Sequence, residues 1–225
     1  MAVALGAVAQ TVTGFGLALV CAPFLVAAFG PGDGVRQAVL LSSVINAAIL
    51  LREGRAARVG DALLLLAPAA AATPLLALAL RRLDARSLTV VAGLATIFGT
   101  VALARGLRLR RVRGVWGAAG AGVVSAAMNV IGGLSGPAVA LYIVNAGWPA
   151  ASVRPTLQAY SLVLNLITLG VLGMPALIPQ LFVGLIAGWA GGSLLAGRLS
   201  PTWARQATLI VAATGGVLAV LKGLR

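Results

Sequence analysis

Asn129-Val130-Ile131-Gly132-Gly133-Leu134-Ser135-Gly136-Pro137 interrupts an otherwise apolar run over residues 113–146. A helix that crosses a bilayer needs about 20 mostly apolar residues, with about 25 as the usual upper bound. The run is longer than that, so it cannot be one ordinary span. Glycine costs about 1 kcal/mol in a helix interior, and clustered glycines mark breaks. Serine is a preferred N-cap, and proline fits the first helical turn because it has no N–H to satisfy. Ser135-Gly136-Pro137 therefore predicts a helix that starts near the membrane midplane.

A second interruption lies in the first apolar run, residues 1–29. It reads Thr13-Gly14-Phe15-Gly16, with Pro23 further on. Here Thr13 is the expected cap. The remaining apolar segments are 34–51, 59–80, 87–104, 152–172, 176–197 and 202–221, separated by short gaps with turn or charge signals. Each broken segment is followed by three plainer ones. Gly30, Arg36 and Asn46 are echoed by Gly147, Arg154 and Asn165, with spacings that differ by one residue. Broken segments in corresponding positions point to a transporter repeat. The expected fold is an all-α polytopic membrane protein of two related halves. Residues 1–104 form the first, 105–112 a basic connecting loop, and 113–225 the second. Each half is a broken, re-entrant helical hairpin followed by three transmembrane helices, and the halves form an inverted repeat. Hairpins place eleven basic residues on one side of the membrane and six on the other, whereas full crossings give ten and seven. The positive-inside rule favours hairpins, with both termini outside.

Composition agrees. Hydrophobic residues make up 60% of the chain and charged residues 9%, whereas a soluble domain carries roughly a quarter charged. Mean hydropathy is +1.05. The net charge of +13 is almost all arginine, set in short gaps between apolar stretches. That distribution is a topology signal rather than a nucleic-acid surface, so no nucleic-acid partner is expected. Cys21 is the only cysteine, which excludes an internal disulfide and a multi-cysteine metal site. Histidine is absent, and with it the commonest general base and metal ligand. No basic n-region precedes the first apolar run, so no cleavable signal is expected. The chain is read as a non-enzyme with no metal and no cofactor. An intramembrane enzyme, for which histidine, paired intramembrane acids and an activated cysteine are lacking, and a purely structural or accessory membrane protein are the alternatives from other classes.

Free N–H groups at a helix start, with a dipole worth about half a positive charge, favour an anion. Two such starts facing each other make an anion site without a charged side chain. Thr13, Gly14, Phe15 and Gly16 on one side and Gly132, Gly133, Ser135 and Gly136 on the other are the candidate residues. Their glycines equally suit close helix packing. Unsatisfied polar groups are costly in hydrocarbon, so buried ones must face protein or a wet cavity. Ser42, Ser43 and Asn46 share a face, and Gln158, Ser161, Asn165 and Thr168 follow a helical spacing. Asn46, Asn129, Gln158 and Asn165 join the site set, with Gln10 and Tyr160 as further candidates. The acids Asp33, Glu53, Asp61 and Asp84 all lie in or beside loops, so no side chain is expected to relay a proton mid-membrane. Arg36 and Arg154 follow the two broken segments at matching positions and read as solvated loop residues that orient the fold, with attraction of anions at the pathway mouths as the alternative. Ala118/Gly122 and Gly188/Gly192 suit tight helix crossings.

Gly14-Phe15-Gly16 followed by Cys21-Ala22-Pro23-Phe24-Leu25, and Gly132-Gly133-Leu134-Ser135-Gly136-Pro137 followed by Leu141-Tyr142, resemble the two-copy glycine-rich motif of the sulfite exporter TauE/SafE family. Leu17 and Ala18 stand where that family commonly has further glycines. The resemblance implies a permease for small sulfur-containing anions (sulfite, sulfonate or a related organosulfur acid) in the bacterial inner membrane. Alternating access is the expected mechanism, with a passive anion channel or a permease for another small solute as the alternative. The expected partners are the small anion and the lipid bilayer, and a homodimer stays open.

Overall fold

The computed structural model describes residues 1–106, 114–196 and 200–224. Most of the basic connector expected at 105–112, and Arg198, lie outside the described residues. Among the described residues the secondary structure is helical throughout, without strands. Helix α1 (Ala2–Thr13) leads through a break into α2 (Leu17–Glu53). A short 3-10 turn (Gly54–Ala56) precedes α3 (Val59–Leu80) and α4 (Ala85–Arg105). Then come α5 (Gly114–Gly132), a second break, α6 (Gly136–Ala146), α7 (Ala150–Leu172), α8 (Pro179–Leu195) and α9 (Pro201–Gly223). Six of these helices are long and apolar enough to cross a membrane, while α1, α6 and α8 are shorter.

The expected loop at Gly30–Gly34 is instead a sharp kink within α2. Gly30 has φ 81° and ψ 167°, which divides α2 into arms at 17–29 and 31–53. Pro31 begins the second arm, where its missing N–H costs nothing. The arms cross closely, since a Cβ on Gly34 would lie 2.5 Å from the Val26 backbone. Residues 173–178 connect α7 to α8 without helix, so the segment expected at 176–197 begins its helix at Pro179.

Both breaks have the same grammar. Helix α1 stops where Gly14 turns to φ 82° and donates its N–H to Gln10 O at 2.9 Å. Helix α5 stops where Gly133 turns to φ 71° and donates to Asn129 O at 2.7 Å. A left-handed residue after a helix is glycine's role, because it has no Cβ to clash.

Each broken segment returns to the end of the bundle from which it started. The Tyr142 hydroxyl on α6 donates to Gly114 O at the start of α5, 3.4 Å away. The Lys222 ammonium near the C-terminus donates to Ala27 O, at the end of the first arm of α2. The C-terminus also packs on the start of α4, since a Cβ on Gly223 would lie 3.0 Å from Arg86 O. Helix α1 runs parallel to α8, with Gly184 beside Val3 and Gly192 beside Val8 and Thr11. One end of the bundle, the terminal end, thus holds Met1, Gly30, Arg36, Gly173 and Gly223. The opposite end holds Glu53, Arg58, Gly114 and Arg154.

The halves interlock. The broken helix α1 packs on α8, α5 packs on α3, and α4 packs most extensively on α9. A Cβ on Gly122 would sit 2.2 Å from Leu65 O, and one on Gly188 would sit 2.2 Å from Ala4 O. The glycines expected to serve tight crossings do so. Large apolar side chains cover the outside: Leu75 on α3, Val183 on α8 and Ile210 on α9 are each more than 60% exposed. In water this surface would be very costly, whereas acyl chains solvate it. The chain is a multi-pass membrane protein.

Candidate functional site

The two breaks meet. A cavity of about 40 Å³ is lined by Gly14, Phe15 and Gly16 from the first break and by Leu134, Ser135, Gly136 and Pro137 from the second. It has room for roughly three water molecules, the size class of a small oxyanion. Gln10, Ser42, Asn46, Gln158 and Ser161 complete its polar wall. No lining side chain carries a charge. Positive potential must come from the helix starts: the first-turn N–H groups of α2 and α6 have no helical acceptor by position.

Gln10 organises the wall. Its Nε2 donates to Asn46 Oδ1 and to Gln158 Oε1, each at 3.0 Å, and its Oε1 accepts the N–H of Leu17 at 3.1 Å. Gln158 Nε2 in turn donates to Gly14 O at 2.6 Å. Helices α1, α2 and α7 are therefore tied together through one amide. The cost to the electrostatics is specific: Gln10 consumes the first free N–H of α2, leaving those of Ala18 and Leu19 for a ligand.

Ser42 is different. It is 5% exposed, it lines the cavity, and its Oγ has no hydrogen-bond partner. A buried hydroxyl without a partner carries a desolvation penalty of about 1–3 kcal/mol. A ligand that accepts a hydrogen bond from it would remove that penalty.

Of the residues expected to form the site, Gly14, Phe15, Gly16, Asn46, Ser135, Gly136 and Gln158 line this cavity. The others sit behind it. Thr13 is the last residue of α1 rather than a cap. Its Oγ1 lies 2.8 Å from Ala9 O and 2.5 Å from Phe15 O, while Gly16 holds the capping position of α2. Ser135 precedes α6 as expected, but its side chain makes no capping bond. The Ser125 hydroxyl donates to Ser135 O at 2.6 Å, fixing the second break from α5. Gly132 ends α5, and Gly133 presses on α2, where a Cβ would lie 3.2 Å from Ala38 Cβ. Asn129 donates to Thr168 Oγ1 at 2.9 Å. Asn165 is fully buried, and neither amide atom has a partner.

Gln10, Ser42 and Ser161 matter more than their residue types suggest, and one signal marks them. With Gly14 set against Gly133, the pairs Gln10/Asn129, Ser42/Ser161 and Asn46/Asn165 all fall at the same offset of 119 positions. The polar wall is thus written twice in register.

The approach from the opposite end is capped by Arg154 on α7. Its aliphatic stem covers Gly14, a Cβ there meeting Arg154 Cγ at 3.1 Å. Its Nη2 donates to Thr11 O at 2.9 Å. Its Nε lies 3.2 Å from Glu53 Oε2, a charge contact whose angle falls short of a hydrogen bond. Arg154 is therefore a structural latch over the first break, not the solvated loop residue expected. The four acids stay near helix ends. Asp33 pairs with Arg36 at 2.6 Å, Asp61 with Arg58 at 2.5 Å, and Glu53 with Arg154. Asp84, just before α4, has its carboxyl held below the ordinary value by the Ser87 hydroxyl.

Re-entrant broken helices that meet at a buried, polar, uncharged cavity inside a lipid-facing bundle define a polytopic transporter architecture. The chain belongs to the sulfite exporter TauE/SafE family, whose model matches residues 1–219. This is a family of membrane transporters. No curated protein and no solved structure matches the chain.

Proposed function

We propose that the protein is a permease for small sulfur-containing anions, sulfite or a short sulfonate, in the bacterial inner membrane. One observation carries this reading: two helix starts and the unpaired Ser42 hydroxyl converge on one small cavity with no charged side chain. A sulfur oxyanion presents several acceptor oxygens and no donor of its own when ionised. The N–H groups of α2 and α6, the serine hydroxyls and the Asn46 amide nitrogen supply the complementary donors. Carboxylates, which would repel it, are absent from the lining.

The mechanism is alternating access between two inverted halves, 1–104 and 113–225. Support comes from helix directions. The second arm of α2 and α7 run antiparallel, with Glu53 at Arg154 at one end and Gln37 Nε2 donating to Ala176 O at 2.6 Å at the other. Helices α4 and α9 are antiparallel too, with Gly93 at Gly216 and Val90 at Gly223. Corresponding helices of inverted repeats have this relation.

The test is uptake by purified protein in liposomes, with labelled sulfite and a labelled two-carbon sulfonate as probes. Saturable flux, accelerated by the same anion on the far side, is the expected result. Flux that is linear in concentration and indifferent to the far side removes alternating access. Absence of flux for both probes removes the substrate class.

A further inference from the structure

A larger cavity of about 260 Å³ opens at the terminal end, between α2, α3, α4, α5 and α7. Arg36 and Arg81 line it, with Val35, Leu88, Val130 and Ile131 among its apolar walls. Val130 and Ile131 form the last turn of α5, immediately before the second break. Val35 O is 3.7 Å from the point where a Gly133 Cβ would stand. The cavity therefore ends against the back of that break.

The charges are arranged unequally at the two ends of the bundle. At the opposite end Arg154 is tied to Thr11 O and Glu53 and lies across Gly14. At the terminal end Arg36 pairs with Asp33, whose carboxylate is itself more than half exposed. Arg81 is exposed and has no ion-pair partner among the described residues. No acidic side chain lines the cavity. Arg81 brings an unpaired positive charge to the cavity mouth beside Arg36, whose charge is shared with Asp33, and the planar fork of arginine matches an oxyanion.

We propose that this cavity is a vestibule that collects the oxyanion at the terminal end and delivers it to the second break, with Arg81 and Arg36 as the collecting residues. The idea rests on the proposed transport function and adds a second anion site to it. The occupant is a group bearing an anionic oxyacid head. The transported anion and a phospholipid phosphate share that chemistry, and the test separates them.

Arg81→Gln, Arg81→Lys and Arg36→Gln are assayed for sulfite transport in right-side-out and inverted membrane vesicles. A collecting residue shifts KM for anion arriving from one side and leaves Vmax in place. Arg81→Gln is expected to raise KM from the terminal side by roughly threefold or more at low salt, with the difference shrinking as ionic strength rises. Arg36→Gln is expected to act in the same direction, and Arg81→Lys to retain most of the wild-type affinity. Native mass spectrometry of the detergent-purified wild type and Arg81→Gln counts retained phospholipid. A phospholipid lost on substitution, with KM unchanged, assigns the cavity to a headgroup and overturns the vestibule. Wild-type transport with KM unaltered from both sides in Arg81→Gln and Arg36→Gln also overturns it, while the proposed function stands. Failure of the wild type to move any probe overturns the proposed function instead.

Discussion

Gln10 and Ser42 line the same cavity and are expected to respond oppositely to removal. Gln10 makes three hydrogen bonds, to Asn46, Gln158 and the Leu17 N–H. Gln10→Ala strands those partners in a buried site, at about 1–3 kcal/mol for each that stays unsatisfied. The thermal midpoint of the detergent-purified protein should fall clearly, and a midpoint equal to wild type would refute the bracing role. Ser42 Oγ bonds to nothing. Ser42→Ala should leave the midpoint unchanged or raise it slightly, while the KM for sulfite rises about tenfold or more, as expected for losing one hydrogen bond to a charged ligand. An unchanged KM would detach the anion from this wall. Cys21, by contrast, is fully buried beside the first break and serves as a small apolar filler.

Helix contacts depend on places where a side chain would not fit. Gly122 abuts Leu65 O on α3, and Gly188 abuts Ala4 O on α1. These contacts seat each broken helix against the other half of the chain. Alanine at either position forces the helices apart, an overpacking penalty of roughly 1–3 kcal/mol. Because α1 and α5 carry the residues that shape the breaks, Gly188→Ala and Gly122→Ala should reduce transport as well as thermal stability. Gly120 and Gly191 have open space where a Cβ would stand, so alanine there should be tolerated. Equal damage at all four positions would mean that close approach is not what these helices require. Asp84 and Ser87 act at another helix start. The carboxyl is held below its ordinary value by the neighbouring Ser87 hydroxyl, so the stabilisation is present above the unfolded carboxylate range and is lost as pH falls through the folded value. The pair is exposed, so its effect on stability is small.

At the scale of the whole molecule, the absence of a central acid makes a mechanistic prediction. The four acids in the chain lie at or beside helix ends, three of them paired with arginine. No side chain in the central cavity can carry a proton at ordinary pH. Transport of a fully ionised sulfonate should therefore proceed without proton movement. Robust proton flux, read by a pH-sensitive dye trapped in the liposomes, would contradict this. The bundle also places Met1 and Leu224 at one end, and Arg105 and Gly114, which flank the basic connector in sequence, at the other. On the positive-inside rule that end is expected to face outward. Single cysteines at Ala2 and at Leu224, in a variant lacking Cys21, should both react with an impermeant thiol reagent applied to intact cells. Labelling only after lysis would invert the assignment.

The amino-acid sequence by itself determined where the backbone breaks and what solvent surrounds it. Gly14, Gly133 and Pro137 act locally: a left-handed turn and a missing donor end or start a helix whatever lies nearby. Apolar content is likewise a property of the chain alone. The distribution of arginine only leaned toward a re-entrant course for the broken segments, eleven to six against ten to seven, and the choice was made by how the helices pack. Side-chain partnership was decided only in three dimensions. That Gln10 braces three helices, that Thr13 turns back on its own helix, that Arg154 latches the first break and that Arg36 and Arg81 line one cavity depend on which helices adjoin. Adjacency between residues more than a hundred positions apart follows from how the two halves interlock, and no local rule contains it.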